Sequence, residues 1–393
     1  MSVRKRRWTT RTGEEREVWV VDYVSQNGTR HLKTFAKKKA ADGYHAQVAV
    51  DVSQGIHTAA SRSITVAQAA ADWLAYVKTE GRERTTVEHY KQHVDMHILP
   101  QLGKVKLAAL TTPRINAFRD DLLASISIRT SEKMTRITAR KVLVSLKALI
   151  KDAKRRGNVA QNVATDVTIK LDNRSRGKLK VGVDIPSTEE IKRIVNTSHG
   201  RTHVVLVLAA FSGLRASELR GLRWQDVDLE KSTLHVRQRA DRYGVIGPPK
   251  SETSAREVPI GPYVVNTLRS WKELAGRDVE LVLANSRGKI EYYQNIAQRM
   301  WHPAQLAAGV TVEHNGKLAP KYSGLHCLRH FYASWLINRR KDGGLELPLK
   351  EVQARLGHAT LAMTADRYGH LFPRSDHSAE IAAAERALGL HVA

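Results

Sequence analysis

The sequence predicts a multidomain, mainly α-helical protein with small β-sheets. At 393 residues the chain is long enough for two or three domains. With 42% hydrophobic and 26% charged residues, its composition is that of a folded globular protein. Helix signals, meaning capping pairs followed by apolar stripes, cover most of the chain, and strand signals are short and few.

The elements follow in order. A first strand is expected near Val3–Trp8. Residues 16–24 are rich in Val, Trp and Tyr and predict a second. Asn27-Gly28 marks a hairpin, and residues 30–35 make its partner strand, with Leu32 and Thr34 on one face and Lys33 and Phe35 on the other. A helix is expected from Lys37 to about Val50. Residues 51–64 are polar and predict a linker. Thr65–Gln68 and Thr85–Glu88 are capping-box patterns, and Thr112-Pro113 predicts a further helix start. A long helix is expected over 132–156, with the stripe Val142, Leu146, Leu149, Ala153, and Gly157 ends it. Residues 171–186 predict a second linker, after which Ser187–Glu190 opens a last domain. There, Val204–Phe211 is expected as a buried helix and 233–239 and 256–260 as strands. Helices are expected at 263–274, 293–307 and 326–338, at Val352–Leu356 before Gly357, and at 380–388.

Net charge is +25, with a pI of about 10.2, which points to a polyanion such as nucleic acid, against the alternative of a generally basic surface. The excess peaks at residues 61–180, with 24 Lys and Arg against 11 Asp and Glu. The long helix shows Arg136, Arg140, Lys141, Lys147, Lys151, Lys154, Arg155 and Arg156, with few acidic partners. Such a face tolerates its self-repulsion best when phosphates neutralise it. The N-terminal strands carry Arg30 and Lys33, and a β-ribbon can enter a major groove; the alternative is a solvated edge sheet. The single cysteine, Cys327, rules out an intramolecular disulfide and fits a reducing cytoplasm. There is no apolar run of membrane length, no signal-peptide core, no Gly-rich phosphate loop and no metal-carboxylate cluster.

The last domain holds the chemistry. Ser212-Gly213-Leu214-Arg215-Ala216-Ser217-Glu218-Leu219 comes first, then Pro249-Lys250-Ser251 and Arg256–Ile260. His326-Cys327-Leu328-Arg329-His330 and Leu356-Gly357-His358 follow, with Tyr368 ten residues further on. Singly, these residues read as packing or salt-bridge groups. Together they resemble the tyrosine recombinase (phage integrase) family over about 187–375, and more weakly at Ile98–Gly103. The resemblance implies an arm-type DNA-binding domain over 1–60 and a helical core-binding domain over 63–170. It further implies the linker 171–186 and a mixed α/β, mostly helical catalytic domain with a tail over 187–393.

By resemblance, Tyr368 attacks a DNA phosphorus and Arg215 and Arg329 clamp the phosphate, with His358 donating to the same oxygens. Lys250 is the general acid for the leaving oxygen, with Lys231 as a rival; His326 is a proton-transfer partner, and Glu218 orients Arg215. His330 is a supporting neighbour and Cys327 a small buried residue. These types suit the task. An unperturbed phenol has a pKa near 10 and needs activation, and fixed donors aimed at developing charge contribute about 10²–10³ in rate each. The resemblance also implies no cofactor, no metal and no membrane. Expected partners are duplex attachment sites (core and arm), a homotetramer on DNA and an accessory directionality or bending factor, in a bacterial cytoplasm. The Leu-Gly-His signature, the tail after Tyr368 and the arm-like N-terminal residues argue against the runner-up, a type IB topoisomerase. All six catalytic types being present argues against a DNA-binding regulator on a dead recombinase fold.

Overall fold

A computed structural model describes residues 1–25, 28–53, 63–126, 131–171, 177–276, 279–373 and 377–389. Contacts divide the chain into two units, Met1–Ser175 and Arg176–Ala393.

In the first unit, β1 (Ser2–Thr9), β2 (Glu15–Val24) and β3 (Arg30–Phe35) form an antiparallel sheet in that order. One face of β2 buries Val21 and Tyr23 against Ala41 and Val48 of α1 (Lys38–Ser53). The register pairs Val21 with Lys33 and Val24 with Arg30, so the two basic residues occupy opposite faces. Lys33 Nζ sits 3.9 Å over the Tyr44 ring, under the helix, and Arg30 binds Asp22 on the open face beside Arg4. Of the expected hairpin turn, Asn27 lies outside the described residues. So do residues 54–62 of the first expected linker.

A second, separate core in this unit belongs to α2 (Val66–Thr79), α3 (Arg84–His93), α4 (Leu99–Leu102), α5 (Thr112–Ala124) and α6 (Arg136–Arg155). The Thr65–Gln68 capping box forms in both directions. The one expected at Thr85–Glu88 does not: α3 starts at Arg84, two residues before the start that cap implies, and Glu88 pairs with Arg84 at 3.2 Å. The cap of α5 is Thr111 rather than Thr112, and Thr135 starts α6 four residues after its expected start. The stripe Val142, Leu146, Leu149, Ala153 is fully buried. The buried Asp152 binds both Arg155 and Arg156, an opposite-charge pairing the sequence had suggested was scarce.

The second unit overturns part of the second linker. Residues 172–176 lie outside the described set, but Leu179 and Ile185 are buried in this unit's core and a turn closes through Gly182. Leu179, Val181, Val183 and Ile185 alternate with polar residues and Gly182, but the stretch has no helical stripe, which is why it read as a linker; only Leu179 and Ile185 are buried, while Val181 and Val183 are exposed. Then come α7 (Thr188–Thr197), with its Ser187–Glu190 capping box, α8 (Gly200–Phe211) and α9 (Ala216–Arg220). The strands are β4 (Val227–Asp228), β5 (Thr233–Val236), β6 (Arg239–Ala240), β7 (Ile246–Gly247) and β8 (Arg256–Pro259). One sheet has the order β4-β5-β8, and β6 pairs separately with β7, so the single strand expected over 233–239 is broken in two. Helices α10 (Pro262–Ala275), α11 (Tyr293–Ile296) and α12 (His302–Ala307) precede an unanticipated hairpin, β9 (Thr311–His314) and β10 (Lys317–Pro320). The chain continues through α13 (His326–Ile337), α14 (Leu349–Leu356), α15 (Leu361–Tyr368) and α16 (His377–Ala387). Helix α13 is almost entirely buried and brings His326, Arg329 and His330 to the next helices. Among the described residues, no helix is long and apolar enough to cross a membrane.

Candidate active site

The site is built on two glycine turns. Gly213 sits at φ +61°, and a Cβ there would come 2.3 Å from the Tyr332 ring. Gly357 closes α14 at φ +63°, where a Cβ would meet Arg256 at 2.9 Å. Only glycine accepts both the left-handed backbone and the close approach. These turns present carbonyls to the arginines. Arg329, 3% exposed, donates to Gly213 O and Leu356 O. Arg215 donates to Gly357 O at 3.0 Å, to Glu218 Oε1 at 2.6 Å and to Ser254 Oγ at 3.3 Å. Glu218 also accepts from Arg256 at 2.9 Å, and Arg256 reaches Arg355 O and Ser254 O. Burial would raise the Glu218 pKa, but Arg256 and Arg215 outweigh it and hold the carboxyl below its usual range.

Tyr368 ends α15 with its side chain 1% exposed. Its hydroxyl lies 2.7 Å from Nδ1 of His330. The His326 ring meets His330 edge-on at 4.5 Å, and the His358 ring lies parallel to Tyr368 at 6.2 Å. The Thr364 hydroxyl engages His358 Nδ1 at 2.9 Å, which makes Nε2 the nitrogen available to a ligand.

A cavity of about 560 Å³ is lined by Arg215, His326, Arg329, His330, His358 and Tyr368, with Lys178 and Arg367 at its wall. Five of the six expected residues are thus brought together. Lys250 is not in the lining. It is exposed on the loop between β7 and β8, yet Ser254 of that same loop touches Arg215. Lys231, the rival, is 83% exposed beside Asp228. The contact between His330 and Tyr368 was missed. His330 follows Arg329 directly and falls one helical turn after His326, which places it beside the cluster, but its contact with Tyr368 is made only where α15 packs against α13.

Burial, more than charge, sets the electrostatics. It drives His326 down to about 4, His330 to about 3 and His358 to about 4, so all three imidazoles are neutral near pH 7. Burial pushes Tyr368 up to about 12 against the pull of Arg329, Arg367 and Arg215. Arg329 falls to about 9 and remains charged. The cavity therefore pairs fixed guanidinium donors with neutral rings, a setting suited to an oxyanion. Among the described residues no group of His, Cys, Asp and Glu could hold a metal ion.

Residues 187–374 match the phage integrase family, and residues 65–123 match the phage integrase N-terminal SAM-like domain. The chain belongs to the phage integrase family. Among relatives, it is 25% identical over 378 residues to a tyrosine recombinase XerC-like protein of Caldanaerobacter subterraneus subsp. tengcongensis, spanning 90% of this chain and 92% of that protein. Two solved structures share its fold. The Tn1549 transposon integrase in complex with a circular intermediate DNA aligns with TM-score 0.61 at 17% identity, over 83% of this chain and 100% of that one. A lambda integrase dimer bound to a COC′ core site aligns with TM-score 0.54 at 17% identity, over 92% and 93%. The family's fold, mainly helical in several domains with small antiparallel sheets, is the one this chain adopts.

Proposed function

We propose that this tyrosine recombinase is a site-specific integrase that cuts DNA through a 3′-phosphotyrosyl link to Tyr368, without metal or ATP. It inserts, and excises, a phage or other mobile element. The observation that supports this reading is the convergence of Arg215, Arg329, His358 and Tyr368 on one cavity.

The roles follow from the chemistry. Arg215 and Arg329 hold the non-bridging phosphate oxygens, each guanidinium aligned by backbone carbonyls. His358 donates to the same oxygens. The Tyr368 oxygen attacks phosphorus and the bond from phosphorus to the 5′ oxygen breaks. Lys250 protonates that oxygen, reaching in from the loop that already touches Arg215. His326 assists proton transfer, and Glu218 orients Arg215. The ester retains the energy of the broken bond, so religation to a new strand needs no further input. The helical region and its cations Arg136, Arg140 and Lys147 grip core-site DNA. The N-terminal sheet, with Arg30 and Lys33, reads arm sites. Four protomers act on two duplexes in the bacterial cytoplasm, residues 375–393 dock on a neighbour, and an accessory bending or directionality factor assists.

A nicked duplex carrying the genomic junction beside the gene tests this. Wild type should trap a covalent protein–DNA species on a denaturing gel, and Tyr368→Phe should yield none. A species that persists in Tyr368→Phe would remove Tyr368 as nucleophile. No species from wild type would remove the reading itself.

A further inference from the structure

We propose that His330, rather than His326, is the residue that takes the proton from Tyr368 as the phenol attacks phosphorus. This rests on the proposed phosphotyrosyl reading and assigns a catalytic role to a residue not placed in one above. The geometry carries it. His330 Nδ1 lies 2.7 Å from the Tyr368 hydroxyl, within proton-transfer distance. His326 meets the edge of the His330 ring, and among the described residues the Tyr368 hydroxyl makes its hydrogen bond with His330. Both histidines are on α13, one turn apart, and α13 is fixed by burial, so the order of the three rings is set by the fold.

The protonation state is right for an acceptor. Burial keeps His330 neutral, and the charged or titratable groups around it are His326 and Arg329 on α13, Arg367 on α15 and His358 after α14. Accepting at Nδ1 requires the single proton of neutral His330 to sit on Nε2, so the Arg367 guanidinium, whose Nη2 stands 3.5 Å from Nε2, turns from the ring toward the entering phosphate. A phosphate entering beside Arg329 and Arg215 offsets their positive charge, which raises the proton affinity of His330 when the nucleophile is to be used. The step balances. The O–H bond of Tyr368 breaks as its oxygen bonds phosphorus, the proton passes to Nδ1, and the leaving 5′ oxygen departs with its electron pair and is protonated by a separate acid. On religation the imidazolium returns the proton to the phenol.

The test uses the full chain and the nicked junction duplex, with His330→Asn, His330→Ala and His326→Gln compared with wild type. Asn retains a hydrogen-bond acceptor near Nδ1 but is no base. Expected for His330→Asn is adduct formation slower by about 10²–10⁴ with unchanged duplex binding in a gel shift. The acid limb of the pH–rate profile, in which wild type loses rate as His330 protonates, should vanish. His330→Ala should regain rate on addition of imidazole, and His326→Gln should keep the acid limb. Thermal melts show whether each variant is folded; if Ala is not, Asn carries the test. Wild-type rate and pH profile in His330→Asn would overturn the inference and leave the phosphotyrosyl reading standing. So would a faster adduct, which would make the contact a resting latch. If wild type itself forms no adduct, the underlying reading fails, and the inference fails with it.

Discussion

The cavity of the second unit and the outer face of α6 in the first are both rich in arginine and lysine, yet they use charge in different ways. In the cavity wall the guanidiniums of Arg329 and Arg215 are fixed. Arg329 grips two carbonyls, and Arg215 and Arg256 share the buried Glu218. On α6, Arg140 and Lys141 extend into solvent. Stabilising a developing charge requires donors that need not reorganise, whereas attracting a polyanion requires only charge. On the proposed reading, arginine and lysine are therefore interchangeable at the solvent-facing Arg140 and Lys141 of α6 and not in the cavity.

The largest effect follows from that contrast. Arg329→Lys replaces a planar fork with a point charge that cannot satisfy both Gly213 O and Leu356 O. Adduct formation on the nicked duplex should fall by about 10²–10³, with duplex binding retained. Arg140→Lys should leave both unchanged. If Arg329→Lys keeps most of its rate, fixed geometry is not what the cavity contributes.

A smaller effect tests the support beneath the clamp. Arg256 is nearly buried, with its side chain 6% exposed against 3% for Glu218. Arg256→Ala leaves Glu218 with Arg215 alone, so the second unit should lose about 3 kcal/mol in denaturant unfolding. Adduct formation should slow too, because Arg215 is then held from fewer sides. Full stability in this variant would show that Arg215 alone compensates the buried carboxylate.

Those same residues explain what was legible in the sequence. Ser212-Gly213-Leu214-Arg215 and Leu356-Gly357-His358 could be read as family motifs, and their glycines record a physical need: each is a left-handed turn packed against a side chain, Tyr332 for Gly213 and Arg256 for Gly357. The stripe of α6 could be read because burial imposes a period. Lys250 could be named but not positioned, since a loop has no period and its placement depends on Ser254 and Arg215 in three dimensions. The His330 contact depended on where α15 packs against α13, which no local pattern encodes. Leu179 escaped for the same reason: its burial comes from the core, and its carbonyl is held by His370, far along the chain.

Acid should separate the two units next. The folded values of His326, His330 and His358, about 4, 3 and 4, lie below the unfolded value near 6.5. The unfolded chain therefore binds more protons between these values, and stability falls as pH drops from about 6.5 toward 4. The first unit's described helices hold His93, also lowered to about 4 where it meets Ser145, and His97, lowered by burial as well. Calorimetry near pH 7 and near pH 5 should show a larger fall in melting temperature for the second unit's transition. An equal fall in both would mean that the cavity imidazoles gain protons without cost, by rearrangement or by water entry.

The smallest effect concerns α6 alone and ranks its cations. Arg155 is held by Asp152 and lies 3.7 Å over the Tyr76 ring. Arg136 donates to Lys170 O and Lys147 to Thr165 O. Arg140 is exposed on the same helix. Binding to a duplex of arbitrary sequence, titrated against salt, should lose up to about 0.9 of its logarithmic slope per phosphate contact removed. Arg140→Ala should approach that loss. Arg155→Ala should fall short of it, because its charge is already offset by Asp152. A larger change for Arg155 than for Arg140 would mean that DNA displaces Asp152 and recruits the paired arginine. An unchanged slope in both would mean that this face of α6 remains in solvent, and that the positive excess of residues 61–180 meets DNA through other side chains.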